Sequence, residues 1–166
     1  VYNVGVLFMA VAERSYGAIE RAISLGADCD RPNENGVTPL LLAVQHNDSR
    51  ALAMMLENGK PDVDFAPVDN VSPLFLSVLR GYRECARLLL NAGCDVNKGM
   101  INQKGENDGR SGQVCETPLL LAVRRNDIRM MDMLLLSGAN PNVLLPGYGS
   151  ALIEAVKNNS TEIVKA

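Results

Sequence analysis

Thr38-Pro39-Leu40-Leu41-Leu42-Ala43 recurs as Ser72-Pro73-Leu74-Phe75-Leu76-Ser77 and as Thr117-Pro118-Leu119-Leu120-Leu121-Ala122. A weaker copy stands at Ser150-Ala151-Leu152-Ile153-Glu154-Ala155. The position held by proline recurs at spacings of 34, 45 and 33 residues. A second landmark keeps the same register: Leu25-Gly26-Ala27-Asp28, Asn58-Gly59, Ala92-Gly93-Cys94-Asp95 and Ser137-Gly138-Ala139-Asn140, with glycines 33, 34 and 45 residues apart. Two independent landmarks repeating together mark an internal structural repeat.

Each unit reads as a helical hairpin. Thr or Ser supplies the N-cap, and proline follows at the first helical position, where its missing N–H costs nothing. A short apolar helix then runs to Asn47, Gly81 or Asn126, residues that tolerate a left-handed turn. The second helix carries apolar residues at helical spacing: Leu52, Met55 and Leu56; Cys85, Leu88 and Leu89; Met130, Met131, Leu134 and Leu135. Gly59, Gly93 and Gly138 are expected to end it in the left-handed conformation. Neither helix can bury its apolar side alone, so the units must stack.

Composition agrees with a stack of helices. The 166 residues are 47% apolar but only 4% aromatic, without Trp, so the core must be built from Leu, Val, Ala, Ile and Met. A charged fraction of 21% beside that apolar content excludes a disordered chain. The net charge of −3 gives no electrostatic case for nucleic acid. No apolar run approaches the roughly 18 residues of a transmembrane span, so direct membrane insertion is not expected.

The pattern TPLLLA…LLxxGAxxN, with a period near 33, resembles the ankyrin repeat, whose signature is T-P-L-H-x-A. The resemblance covers nearly the whole chain and implies an all-α solenoid of stacked helix-turn-helix units with β-turn fingers. One array over 1–166 is expected, with repeats near 2–32, 33–66, 67–99 and 100–144, and a partial repeat over 145–166. Gly5-Val6-Leu7-Phe8-Met9-Ala10 stands where the first signature belongs but lacks its Thr-Pro.

Two departures stand out. The family's histidine is replaced in every copy, by Phe8, Leu41, Phe75, Leu120 and Ile153, so apolar burial is expected where the family uses hydrogen bonds. The 45-residue spacing also exceeds 34 by 11 residues, and the excess falls in the stretch 98–114, KGMINQKGENDGRSGQV. With four glycines and few apolar residues, that insertion is expected to be an exposed, mobile extension of a finger, either a tolerated surface loop or a partner-specific contact.

No catalytic constellation can be assembled. His46 is the only histidine, so a Ser-His-Asp or Cys-His arrangement has no second candidate. Residues 105–112 lack both the acidic alternation of a calcium loop and a GKS or GKT phosphate cradle. Cys29, Cys85, Cys94 and Cys115 form no CxxC pair, and no metal or cofactor is implied. They read as buried free thiols in a reducing compartment, which places the protein inside the cell, in the cytoplasm first and with the nucleus open. Met54, Met55, Met130, Met131 and Met133 fall on second-helix positions and read as core. The opening at Val1 and an apparent helix running to Ala166 suggest a piece of a longer protein, whose other domains are expected partners.

The resemblance implies that a protein or peptide partner binds the concave face formed by the fingers and the exposed ends of the first helices. Carried onto this chain, the candidates are Gln45, His46, Val71, Leu79, Arg80, Glu116, Arg124, Arg125, Tyr148 and Lys157. Arg80, Arg124, Arg125 and Lys157 would form a basic ridge for an acidic peptide, with Val71 and Leu79 as apolar anchors. Asp95-Val96-Asn97 resembles the site that such turns offer to an intracellular asparagine hydroxylase, making Asn97 a candidate for modification. The implied function is a non-enzymatic interaction scaffold, an adaptor or ubiquitin-ligase substrate receptor. The alternative is an array regulating an enzyme or channel domain on the same chain.

Overall fold

The computed structural model describes residues 5–66, 71–101, 114–144, 150, 151 and 153. These contain four helix pairs: α1 (Val6–Ala12) with α2 (Tyr16–Ser24), α3 (Pro39–Gln45) with α4 (Ser49–Asn58), α5 (Pro73–Arg80) with α6 (Arg83–Asn91), and α7 (Pro118–Arg124) with α8 (Ile128–Leu136). The first helices α1, α3, α5 and α7 pack side by side in one layer, and the second helices pack in another. The architecture is the expected all-α solenoid.

The signature residues start the first helices as expected. Thr38, Ser72 and Thr117 each accept the N–H three residues on through the side-chain oxygen, at 3.2 Å, and proline opens the helix. Ser150 accepts the Ile153 N–H in the same way at 3.3 Å. In the first pair Gly5 stands at the cap and offers no side chain. The first helices end where Arg14, Asn47, Gly81 and Asn126 turn left-handed, with φ of 53°, 52°, 73° and 53°.

One helix ending differs from expectation. Gly93 and Gly138 are left-handed, with φ of 83° and 89°, but Gly59 has φ −98° and Lys60 takes the left-handed place at φ 48°. The reason is steric. A Cβ on Gly59 would lie 2.4 Å from Cys29 Sγ and 2.8 Å from the Met55 carbonyl oxygen, so glycine is needed there for close approach. Lys60, not Gly59, is thus the counterpart of Gly26, Gly93 and Gly138.

α3 and α7 are almost wholly buried, Pro39–Val44 and Pro118–Val123 without interruption, whereas α1 leaves Val6 and Met9 exposed. The second helices bury one face, through Ile19, Leu52, Met55, Leu89, Met130 and Leu134. Completely buried Ala43, Ala51, Ala86 and Ala122 let backbones approach closely. Ser77 takes the alanine's place in α5 and satisfies its hydroxyl on the Leu74 carbonyl at 2.7 Å. Met54 and Met133 are partly buried against this core and Met55, Met130 and Met131 lie inside it. At the position of the missing histidine Leu41, Phe75 and Leu120 are buried and Phe8 is half-buried, whereas Ile153 is 46% exposed.

The helix pairs are joined by loops that return along one edge. In the first, Asn33 closes a tight finger: its Oδ1 accepts the N–H of Asn35 and of Val37, both at 2.9 Å. At the insertion the chain instead pairs as an antiparallel ribbon, β1 (Met100–Ile101) with β2 (Val114–Glu116), with an irregularity beside Met100. The stretch 98–114 thus departs from the exposed, mobile extension expected of it: its base is paired and partly buried, with Gly99 buried and Met100 packed against the core. Residues 102–113 lie outside the described residues.

Candidate protein-binding surface

Because α3, α5 and α7 are buried along most of their length, they reach solvent at their last turns. Three consecutive ends carry the candidates: Gln45 and His46 on α3, Leu79 and Arg80 on α5, Arg124 and Arg125 on α7, all exposed. Leu79 is an isolated apolar side chain here, 40% exposed. Val71 is half-buried and packs against the core, so part of its apolar surface is already used. Tyr148 and Lys157 lie outside the described residues.

The arginines are not equivalent. Arg124 Nη1 pairs with Glu116 Oε1 at 2.8 Å, which ties the end of α7 to the base of the ribbon. Arg125 Nη1 donates to the Leu79 carbonyl near the end of α5. Arg14 does the same for α3, donating through Nη2 to the His46 carbonyl at 3.0 Å. A guanidinium at a helix C-terminus satisfies an orphan carbonyl and opposes the negative end of the helix dipole. Arg125 therefore holds two repeats together as well as facing solvent. Among the described residues, Arg80 forms no hydrogen bond or ion pair.

Sequence reading placed the turns between first and second helices but missed the caps that follow them. Asp48 and Asp127 cap α4 and α8, accepting the N–H groups of Ala51 and Met130 at 3.0 and 3.2 Å. Asp127 also receives a fork from Arg83, with contacts of 3.0 to 3.2 Å. Buried Asp48 accepts the Tyr16 hydroxyl at 3.3 Å and lies 4.0 Å from Arg14. The signal was present in Asn47-Asp48 and Asn126-Asp127, a left-handed turn residue followed by a capping residue.

The opposite edge of the stack is acidic and regular. The side chains of Asp28, Asp62, Asp95 and Asn140 each accept the N–H two residues on, at 2.9 to 3.0 Å. The residue so placed then reaches the next repeat: Asp30 accepts from Asp62 N, Asp64 from Asp95 N, and Asn97 from Asn140 N, at 2.8 to 3.1 Å. Asn97 is thus exposed yet bonded into this ladder through Oδ1 and its own N–H.

Cys29, Cys85 and Cys94 are free and buried. Burial pushes the Cys85 thiol up to about 11, with Asp48 and Glu84 adding to the shift. Burial likewise pushes Cys94 up to about 12, aided by Asp64 and Asp95, and raises Cys29. These thiols stay protonated at neutral pH and are poor nucleophiles and ligands. The Cys115 side chain lies outside the described residues. No group of three or more His, Cys, Asp or Glu side chains is placed to hold a metal among the described residues. No helix there is long and apolar enough to cross a membrane.

Comparison with known proteins fits this geometry. Residues 7–100 match a family model described as ankyrin repeats (3 copies), and residues 115–144 match one described as ankyrin repeat. The interval between them falls at the insertion. The chain is 29% identical over 152 residues to the B-cell lymphoma 3 protein homolog of Mus musculus, covering 90% of this chain and 32% of that protein. It is 27% identical over 134 residues to the nuclear factor NF-kappa-B p105 subunit of Gallus gallus, covering 80% and 12%. It is 30% identical over 112 residues to the human transient receptor potential cation channel subfamily A member 1, covering 68% and 10%. The chain spans about a third of the first of these relatives and far less of the others. Four stacked helix pairs with these matches place the chain in the ankyrin-repeat family, whose repeats generally mediate protein–protein interaction and are typically non-enzymatic.

Proposed function

We propose that this array is the recognition module of a longer intracellular protein, an adaptor or a ubiquitin-ligase substrate receptor, and that it binds an acidic protein segment. The observation that carries the reading is the row of exposed residues at the ends of α3, α5 and α7, which holds Arg80, Arg124 and Arg125 together with Leu79. Guanidinium groups suit carboxylates because their planar fork donates two hydrogen bonds at once. Gln45 and His46 extend the surface toward the second repeat, half-buried Val71 stands before the start of α5, and Glu116 fixes the reach of Arg124. The intracellular placement, cytoplasmic first, is supported by three buried thiols that remain unpaired.

The test must separate binding from folding, because Arg125 also caps α5. Arg80→Glu changes an exposed charge without a partner among the described residues, so its melting temperature should fall only slightly, by the loss of a favourable charge at the end of α5. Capture of an acidic protein partner should weaken with that variant and with added salt. Equal, salt-independent capture by both proteins would remove the ridge from the interface.

A second use, control of an enzyme or channel domain on the same chain, is favoured by the similarity to a protein named as a cation channel. The sequence flanking the array in the full-length protein distinguishes the two uses. We also propose Asn97 as a substrate of an intracellular asparagine hydroxylase, supported by its exposure and by Asp95-Val96 before it. Its bond to Asn140 must open for the residue to enter an active site. An added oxygen at Asn97 in the mass spectrum of protein isolated from cells is the expected result, and its absence would count against the assignment.

A further inference from the structure

The ridge does not end at Arg125. Beyond it, on the edge where first helices turn into second helices, a hollow with a volume of about 370 Å³ is lined by Arg83, Arg125, Asn126, Asp127, Ile128 and Arg129. Three guanidinium groups and one carboxylate surround it. That carboxylate is already committed, since Asp127 caps α8 and receives the Arg83 fork. Arg125 is anchored at one nitrogen on the Leu79 carbonyl, and its Nη2 lies about 4.0 Å from where a Cβ on Gly81 would stand. Arg129 is exposed and forms no hydrogen bond or ion pair among the described residues. Among the described residues the hollow is therefore left with net positive charge, and Asp127 is the acidic side chain that lines it.

The anchoring of Arg125 makes the hollow continuous with the ridge, because Leu79, Arg80 and Gly81 form the wall that Arg125 leans on. We propose that an acidic segment of the partner protein, crossing Leu79 and Arg80, turns over this edge and places a carboxylate in the hollow against Arg125 and Arg129. Arg129 is then a specificity-determining residue, and Arg83 positions the site by pairing with the Asp127 carboxylate in its lining. The proposal rests on the reading of the ridge as an acid-binding surface, and it adds a second contact point outside the ends of the first helices. Complementary charge selects such a segment over neutral or basic ones and strengthens the salt dependence of binding.

The probe is a short fluorescein-labelled polyglutamate peptide, with a polylysine peptide of equal length as the control, titrated with the whole array by fluorescence anisotropy. Wild type should bind the acidic peptide alone, more weakly as salt rises. Arg129→Glu should weaken binding roughly five- to tenfold, as reversal of a contacting charge does, while Arg21→Glu, an exposed arginine on α2, should leave it unchanged. The side-chain Nε–H resonances of Arg125 and Arg129 should shift on adding the acidic peptide. If the peptide binds, Arg80→Glu weakens it and Arg129→Glu does not, the hollow is refuted while the ridge survives. If wild type binds neither peptide or both equally, the ridge reading fails and takes the hollow with it. Loss of helical signal or melting temperature in Arg129→Glu would be checked against Arg129→Gln, which must still weaken binding for the assignment to stand.

Discussion

The two edges of the stack are built on different rules. Along the finger edge every junction between described repeats uses the same bond, an Asx side chain accepting an N–H of the next repeat. Along the helix-turn edge the junctions differ. The first is tied by Arg14 on the His46 carbonyl, the Tyr16 hydroxyl on Asp48, and Arg50 stacked 4.2 Å over the Tyr16 ring. The third is tied by the Arg83–Asp127 fork and by Arg125 on the Leu79 carbonyl. At the second junction the side-chain bond on this edge, among the described residues, is a thiol contact from Cys85 Sγ to Asn47 Oδ1 at 3.6 Å. A thiol is a weak donor, so this junction leans on apolar packing and the ladder. Repeat arrays sum intrinsic and nearest-neighbour terms, which makes such unevenness consequential.

The strongest way to break the comparison is to attack packing at the centre. Leu74, wholly buried on α5 between α3 and α7, should lose about 2–5 kcal/mol of unfolding free energy on Leu74→Ala, read from urea denaturation. A loss of only a few tenths would mean that packing is not what holds the middle junction. Next in size is Asp127→Ala, which removes a helix cap and the acceptor of a fork together. A loss of about 2 kcal/mol is expected, and a double-mutant cycle with Arg83→Ala should show a coupling of about 0.5–1 kcal/mol. Zero coupling would make the fork ornamental and the third junction no better tied than the second.

Cys85 and Cys94 give the comparison a pH axis. Their thiols are raised from 9.0 to about 11 and about 12 by burial, aided by nearby carboxylates. Below 9.0 the folded and unfolded states both hold these protons, and the groups contribute no pH dependence. As pH rises from 9.0 toward 11 the unfolded chain loses them first, so stability falls across that window. Urea midpoints measured from neutral to alkaline pH should decline, and Cys85→Ala should flatten the decline relative to wild type. An identical slope in the two proteins would show that other groups set it.

How much could be read in advance depended on where information was repeated. The caps Thr38, Ser72 and Thr117 and the turn residues Asn47, Gly81 and Asn126 recur in register, and the fold followed from them. The exposed ends at Gln45, Leu79 and Arg124 could be placed because they directly follow a buried signature. The partners of Arg124 and Arg125 could not, since Glu116 comes from the ribbon of the insertion, 8 residues back, and the Leu79 carbonyl is brought by stacking across 46 residues. Arg83 and Arg129 escaped for the same reason: a hollow between two repeats belongs to neither repeat's pattern. Gly59 misled because a glycine next to the left-handed position imitates one at it. Lys60 holds that position, and left-handed backbone costs a side chain about 1 kcal/mol. Lys60→Gly should therefore stabilise the protein by roughly 0.5–1 kcal/mol, and a destabilised variant would show that the lysine contributes something its backbone angle hides.

The smallest expected effect concerns the middle junction itself. Asn47 has two properties that a single substitution can separate: a left-handed backbone with φ 52° and an Oδ1 that accepts from Cys85. Asn47→Gly keeps the first and deletes the second. If the thiol contact adds little, unfolding free energy should change by less than about 0.5 kcal/mol. Asn47→Ala forces a Cβ residue without a compensating amide into the same angle and should cost about 1 kcal/mol. A large loss for the glycine variant would mean that the contact between Cys85 and Asn47 ties the second junction as firmly as Arg83 ties the third. The two edges would then differ in chemistry and not in strength.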